Sequence, residues 1–396
     1  MRGAAVLLSG LVLALPLAAQ PLADSWFTAA TAGPPACEGQ GRQVHAGFER
    51  AAVAECRIDA DGHVMVTIRP ENQPINPSPW YGLVVRNAGG GETQVTLRYD
   101  GGRHRYAPWQ GQPGADIARL APQRVAVAPD GRSATISLPA APVQLLIAQP
   151  PASVDGVLAP FEARVRAGQL QRLDVGHSIA RRPIATYWHR PPAPRGTIVL
   201  ITRQHPPETT GPQAFARFTD LVLGDSAAAR AFRANHALMF VPLANPDGFV
   251  MGHWRHNLGG TDLNRDWGPF TQPETRALGA AMVQAAQAAP ILAVIDFHST
   301  QRDVVYAPPR PAGPDLGEAM LQAIAADLDG ASIRIDRAHN PGNGVLKSWA
   351  RDRFGVGALT WEVGDDSPAE RTRRLAEAAA NALMASASSP ANPQGK

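Results

Sequence analysis

The sequence predicts an α/β fold, a mostly parallel or mixed sheet flanked by helices, preceded by a small antiparallel β-sandwich. Largely apolar runs at 196–202, 237–241, 291–296 and 357–360 have the composition of strands buried on both faces. Helical stretches at 212–223, 273–289 and 317–328 lie between them, and such alternation gives a mostly parallel sheet covered on both sides. Ahead of this half, residues 52–148 alternate apolar and polar in short runs separated by Asp-Gly and Gly-Gly pairs, which reads as antiparallel strands.

In chain order, Met1-Arg2, an apolar run at 4–17 and the small pair Ala18-Ala19 have the layout of a secretory signal peptide. Residues 1–19 are therefore expected to be removed, leaving a periplasmic or secreted protein that starts near Gln20. The run is shorter than the roughly 20 residues a spanning helix needs, and no other stretch qualifies, so no stable membrane insertion is expected after processing. Cys37 and Cys56 are the only cysteines, and they form either a disulfide, natural for an even pair in an oxidising compartment, or two buried thiols.

The β-sandwich is placed at 24–150, with strands at 63–68, 81–85, 93–99 and 133–138. Pro150-Pro151 open a linker that, with a short helix at 159–167, fills 151–167. The α/β domain follows at 168–386, and an Ala/Ser/Pro-rich tail at 387–396 is expected to be disordered. A net charge of +3 is small for 396 residues, and no Lys/Arg cluster is interleaved with aromatics, which argues against a nucleic-acid partner.

Parallel sheets bind ligands beyond the carboxyl ends of their strands. His205 and Glu208 follow the first of the four apolar strands, His298 follows the third, and Glu362 ends the fourth, so all four would meet on one rim. His-x-x-Glu alone describes many surface turns, but with His298 at the end of a buried strand it supplies two imidazoles and a carboxylate. That set suits one zinc ion per chain with a fourth position open for water, as in a catalytic rather than a closed structural site. Glu362 is a spare carboxylate for proton transfer, and Arg255 and Arg265 can bind anions. These are the parts of metal-assisted amide hydrolysis.

The strings Arg203-Gln204-His205-Pro206-Pro207-Glu208, Asn245-Pro246-Asp247-Gly248, Trp254-Arg255, Asp262-Leu263-Asn264-Arg265-Asp266-Trp267, Asp296-Phe297-His298-Ser299 and Thr360-Trp361-Glu362 resemble the zinc metallocarboxypeptidases, the funnelin or carboxypeptidase A-like family. The likeness is greatest to the cytosolic-carboxypeptidase-like branch, which carries a β-domain ahead of its peptidase domain. It covers 173–366 and, more loosely, the β-domain from 68 onward, where Trp80-Tyr81 and Tyr106 sit at familiar places; Ser178 and Arg182 belong to a stretch similar to the family's entry into its first strand.

The resemblance implies that His205, Glu208 and His298 bind zinc. It also implies that Glu362 takes a proton from the attacking water and hands it to the leaving amine, acting as base and then acid. Arg255 would polarise the scissile carbonyl and stabilise the oxyanion. Asn264 and Arg265 would grip the free carboxylate of a peptide substrate, making the enzyme an exopeptidase. His253 and His256 flank Arg255, but no third ligand stands at fitting spacing, so both read as loop residues.

Many family members place a tyrosine in the loop before the catalytic glutamate, yet 340–357 contains none. That role is absent, taken by Tyr306, or filled by water. Arg302, Arg334, Arg337 and Lys347 either edge the pocket, favouring an acidic side chain, or are solvated surface charges. Two other readings stand beside the peptidase: a zinc amidohydrolase acting on small N-acyl amino acids, whose aspartoacylase-like relatives share an Asp-Leu-Asn-Arg string, and a non-catalytic peptide-binding relative. Asn-Pro-Asp-Gly and Trp267 favour the peptidase over the first. Retention of both histidines, both carboxylates and Arg255 argues against the second. The β-domain either braces the peptidase domain or narrows its entrance.

Overall fold

The computed structural model describes residues 22–309, 315–326, 333–340, 342 and 344–388. The expected signal peptide and residues 389–396 of the expected tail lie outside them. Among the described residues no helix is long and apolar enough to cross a membrane.

The N-terminal unit begins with α1 (Asp24–Ala30), followed by β1 (Cys37–Gly39), β2 (Arg42–His45), β3 (Glu55–Ile58), β4 (Val64–Ile68), β5 (Gly82–Asn87) and β6 (Thr93–Tyr99). It continues with β7 (Trp109–Gly111), β8 (Ala118–Arg119), β9 (Val125–Val127), β10 (Ser133–Leu138) and β11 (Val143–Ile147). The strands form two sheets, ordered β1-β2-β5-β11-β7-β8 and β3-β4-β6-β10-β9. Period-two alternation sends Val64, Val66 and Ile68 of β4 and Ala134, Ile136 and Leu138 of β10 into one core shared by both sheets.

The expected antiparallel pairing holds except between β4 and β6, which run parallel. The cause is that β5, between them in sequence, lies in the other sheet, so the chain returns beside β4 in β4's own direction. Of the two alternatives for the cysteines, the disulfide is found: Cys37 and Cys56, with Cα atoms 5.5 Å apart, join the edge strands β1 and β3 and so tie the two sheets together.

The second unit contains α2 (Val154–Arg166), β12 (Gln171–His177), β13 (Pro183–His189), β14 (Gly196–Thr202), α3 (Thr210–Val222), α4 (Ala227–Asn235), β15 (His236–Val241) and α5 (Pro246–Met251). After these come α6 (Pro273–Ala288), β16 (Ile291–Thr300), β17 (Val304–Tyr306), α7 (Leu316–Ala326), β18 (Arg334–Asp336), α8 (Leu346–Phe354), β19 (Gly357–Gly364) and α9 (Ala369–Ser388). Helix α9 thus runs two residues past the expected start of the tail.

Eight strands form one mixed sheet, β12-β13-β15-β14-β16-β19-β17-β18. The four strands read from the sequence, β15, β14, β16 and β19, are its parallel centre. Ile198 and Leu200 of β14 face a core with α3, α7 and α9, while Val199 and Ile201 face another with α6 and α8. Both faces are dry, which is why the run is continuously apolar.

Candidate active site

Strands β16 and β19 run further than their apolar runs suggested, and the extra residues include two of the candidate site residues, His298 and Glu362. His298 lies inside β16 rather than after it, and its register partner in β19 is Glu362. Asp296 and His298, two apart on a strand, share a face. On the neighbouring strand β14, the chain leaves Thr202 and turns through Arg203 at φ 59° to present His205 and Glu208. Helix α3 then starts hard against β16: a Cβ on Gly211 would lie 2.1 Å from the His298 carbonyl oxygen, so only glycine fits.

The side-chain atoms of His205, Glu208 and His298 that could ligate a metal all lie within 4.8 Å of one another, and among the described residues this is the one such group. All three are buried. His205 Nδ1 is 2.8 Å from Glu208 Oε1, and His298 Nδ1 is 2.9 Å from Glu208 Oε2. The outer ring nitrogens meet carboxylates: His205 Nε2 is 3.0 Å from Asp262 Oδ1, and His298 Nε2 is 2.7 Å from Asp296 Oδ2. A histidine that donates through Nε2 turns the lone pair of Nδ1 inward. Two such lone pairs, with the Nδ1 atoms 3.1 Å apart, and a carboxylate repel one another unless a cation joins them. The donor set therefore fits zinc, which takes two imidazoles and a carboxylate readily.

The electrostatics agree. Burial works against a charged Glu208, but His205 and His298 hold its carboxyl well below the usual range. Burial likewise opposes a charged His298, yet Asp296 and Glu208 beside it raise its pKa, so positive charge is favoured here. Glu362 differs. Burial pushes its carboxyl up to about 7, with His298 opposing the rise and Glu208 adding to it, and its Oε2 has no hydrogen-bond partner among the described residues.

The remaining motif residues are mostly scaffold. Asp262 accepts from Arg255 Nε at 2.7 Å on one oxygen, while the other faces His205 and takes the Asn264 N–H at 2.8 Å. Gln204 Nε2 donates to Asp296 at 2.7 Å, and its oxygen accepts from Trp267 Nε1 at 2.8 Å. Asp266 accepts the N–H groups of Thr271 and Gln272, both at 2.9 Å, at the entrance to α6. Asn245 caps α5 through Gly248 N at 2.9 Å and donates to the carbonyls of Gln204 and His256. Asp247 accepts from Ser178 Oγ, Ala180 N and Arg182 Nη1, each at 2.8 Å, which ties the stretch 178–182 to the start of α5.

A cavity of about 270 Å³ opens over the site, with His205, Glu208, Arg255, Asn264, Arg265 and Glu362 in its wall. His298 lies beneath, fully buried. Of the four candidate edge cations only Lys347 lines the cavity; Arg334 pairs with Asp336 and Arg337 with Glu318. Tyr306 enters from β17, its ring stacked on His339 with centroids 4.0 Å apart. His253 and His256 stay in the loop, as expected: His253 Nδ1 lies 3.1 Å from the His256 carbonyl oxygen.

The N-terminal unit supplies part of the same wall through Asn76, Pro77, Ser78 and Arg105. Arg105 donates to Asp365 Oδ2 at 2.8 Å and to Ser78 Oγ at 2.7 Å. Sequence reasoning missed these residues, because a lone Arg between His104 and Tyr106 carries no motif. It also gave Asp262 and Asp296 no role, although the spacing of two before His298 was a readable signal.

A family model for zinc carboxypeptidase matches residues 166–383, more than half of the chain. Cytosolic carboxypeptidase 3 of Mus musculus is 41% identical over 73 residues, 18% of this chain and 7% of that protein. Cytosolic carboxypeptidase 2 of Homo sapiens is 29% identical over 116 residues, 28% of this chain and 12% of that protein. The matched stretches thus span only a small fraction of these relatives.

Among solved structures, a metallo-carboxypeptidase from Burkholderia cenocepacia superposes with a TM-score of 0.70 at 20% identity, covering 88% of this chain and 99% of that one. One from Pseudomonas aeruginosa, in complex with (2-guanidinoethylmercapto)succinic acid, superposes with a TM-score of 0.69 at 20% identity, covering 87% and 98%. Both cover the β-unit as well as the sheet, and at this identity they establish the shared fold. With the family match across the sheet that carries His205, Glu208, His298 and Glu362, the chain belongs to the zinc carboxypeptidase family.

Proposed function

We propose that this protein is a zinc-dependent metallocarboxypeptidase that removes single residues from peptides bearing a free C-terminal carboxylate. The observation that carries this reading is Glu362, a half-buried residue whose inaccessible Oε2 has no hydrogen-bond partner among the described residues, sharing one cavity with His205, Glu208, Arg255, Asn264 and Arg265. His205, Glu208 and His298 would hold zinc, which when bound supplies the Lewis acidity that lets water act as a nucleophile near neutral pH. Glu362 takes the proton of the attacking water and delivers it to the departing amine. Arg255 is held through Nε, so its terminal nitrogens remain for the oxygen that gains charge. Arg265, with Asn264, binds the terminal carboxylate through the fork of its guanidinium.

The test is a mass-spectrometric digest of mixed peptides, free-acid and C-terminally amidated, with zinc-loaded protein beside Glu362→Gln. Loss of one residue from free-acid peptides alone, abolished in the variant, is expected. Equal trimming of amidated peptides, or turnover of N-acyl amino acids with peptides left intact, overturns the reading.

We infer also that the protein is exported, on the strength of the apolar N-terminal run at 4–17 and the Cys37–Cys56 disulfide. Mass analysis of protein recovered from the periplasm or medium should find a chain starting near Gln20. Recovery of the full chain from the cytoplasm with reduced cysteines contradicts it.

A further inference from the structure

The geometry points to Glu71, in the N-terminal unit, as a positioning residue for Arg255. This inference rests on the reading of Arg255 as the group that meets developing negative charge. The Glu71 side chain is only 8% exposed and sits against the turn 254–256 of the other unit. Its Oε2 accepts the Trp254 N–H at 2.7 Å, and its Oε1 accepts the N–H groups of Arg255 at 3.0 Å and His256 at 2.6 Å. Three successive backbone N–H groups converging on one carboxylate form a concave anion nest, filled here by a side chain of the same molecule.

The turn is fixed on either side of that nest. The Trp254 ring is packed in the core of the N-terminal unit, and Asn72 donates to the Gly260 carbonyl at 2.7 Å while also meeting the His256 ring. Beyond the turn, Arg255 Nε reaches Asp262, the carboxylate that also faces His205 Nε2. An unbroken chain of contacts therefore runs from Glu71 through the Arg255 backbone and guanidinium to Asp262 and the triad. A preorganised donor acts only when held where charge will develop, and small misplacements are costly. Glu71 fixes the Cα end of Arg255 as Asp262 fixes its head. The β-unit is then a working part of the site rather than a brace.

The experiment compares Glu71→Ala, Glu71→Gln and Arg255→Ala, and each Glu71 variant combined with Arg255→Ala, in the zinc-loaded full chain. Readouts are kcat, KM, zinc content and calorimetric affinity for a peptide phosphonate, a tetrahedral anion. With zinc content unchanged, Glu71→Ala should lower kcat roughly 10- to 100-fold, less than Arg255→Ala, with KM little altered. Adding it to Arg255→Ala should cost nothing further, because Glu71 acts through that side chain. Glu71→Gln keeps the shape but offers one acceptor oxygen, so its loss should be smaller; it carries the same comparison if the alanine variant does not fold. Unchanged kcat, or losses that multiply in the double variant, overturns the inference. If the wild-type protein trims no peptide, the functional reading falls, and Glu71-dependent phosphonate affinity decides the positioning role by itself.

Discussion

His298 and Glu362 stand directly opposite each other across the parallel pair β16 and β19, one among the proposed zinc ligands and the other the proposed base. Adjacent strands of a sheet lie about 4.8 Å apart, so the register alone brings the base next to the metal position. No loop has to fold over to complete this pair, and the rigid centre of the sheet sets its geometry.

Replacing Glu362 with glutamine should lower kcat at least 10²-fold with zinc retained, the ordinary contribution of a positioned base. In metal-free protein the same change should stabilise. The Glu362 pKa is raised from 4.5 to about 7, so the folded state holds a proton that the unfolded chain has lost between those values. Stability of the metal-free protein therefore falls as pH rises through that window, and the cost is fully present above it, ~3 kcal/mol. Thermal melts at pH 8 with chelator should place Glu362→Gln above wild type; a lower melting temperature would contradict the destabilising charge on Glu362.

The pH profile of kcat/KM should show an acid limb belonging to Glu362. A base must be ionised, so activity is lost as pH falls through its pKa. Burial sets that value at about 7 without metal, and the charge of bound zinc draws it lower. The limb should accordingly lie at roughly pH 5–7 in wild type and vanish from the residual activity of Glu362→Gln. A limb that persists unchanged in the variant assigns it to another group.

Asp262→Asn and Asp296→Asn should each weaken zinc binding about 10- to 100-fold, since each carboxylate orients one histidine. Only Asp262 also holds Arg255, so its variant should lose kcat even when zinc is saturating, whereas Asp296→Asn should recover most of its rate. Competition with a chelator, followed by assays in excess zinc, separates the two effects.

How much of this was legible in the sequence follows from where the signals lie. The apolar runs of β14 and β15 mark them as central strands, because alternate side chains feed two dry cores. The ends of β16 and β19 extend past the apolar runs because polar residues there, His298, Ser299 and Thr300 in β16 and Glu362 in β19, interrupt the apolar pattern. The cluster that could hold a metal was legible from His-x-x-Glu and a strand-borne histidine. Arg105 and Glu71 were not, since their partners stand 260 and 183–185 residues away and no local spacing encodes such contacts. The short β17 was likewise missed, and with it the way Tyr306 reaches the cavity.

Specificity for the terminal side chain should turn on Lys347. It lies in the cavity wall with Arg105, Arg255 and Arg265, and its Nζ donates to the carbonyls of His339 at 2.8 Å and Asn340 at 3.0 Å. Burial, helped by Arg351, pulls its pKa down to about 8, so it is charged at neutral pH and loses that charge as pH rises through 8. Peptides ending in Glu should therefore be cleaved faster than those ending in Lys at pH 6.5, and the preference should shrink at pH 9. Lys347→Met should reduce the Glu-over-Lys ratio of kcat/KM about tenfold at pH 6.5, the ~1.4 kcal/mol expected of one partly buried charge contact. Measuring both peptides at both pH values in wild type and variant decides the point: a ratio independent of pH and of residue 347 places the selecting group elsewhere in the wall, with Arg105 the next cation to replace.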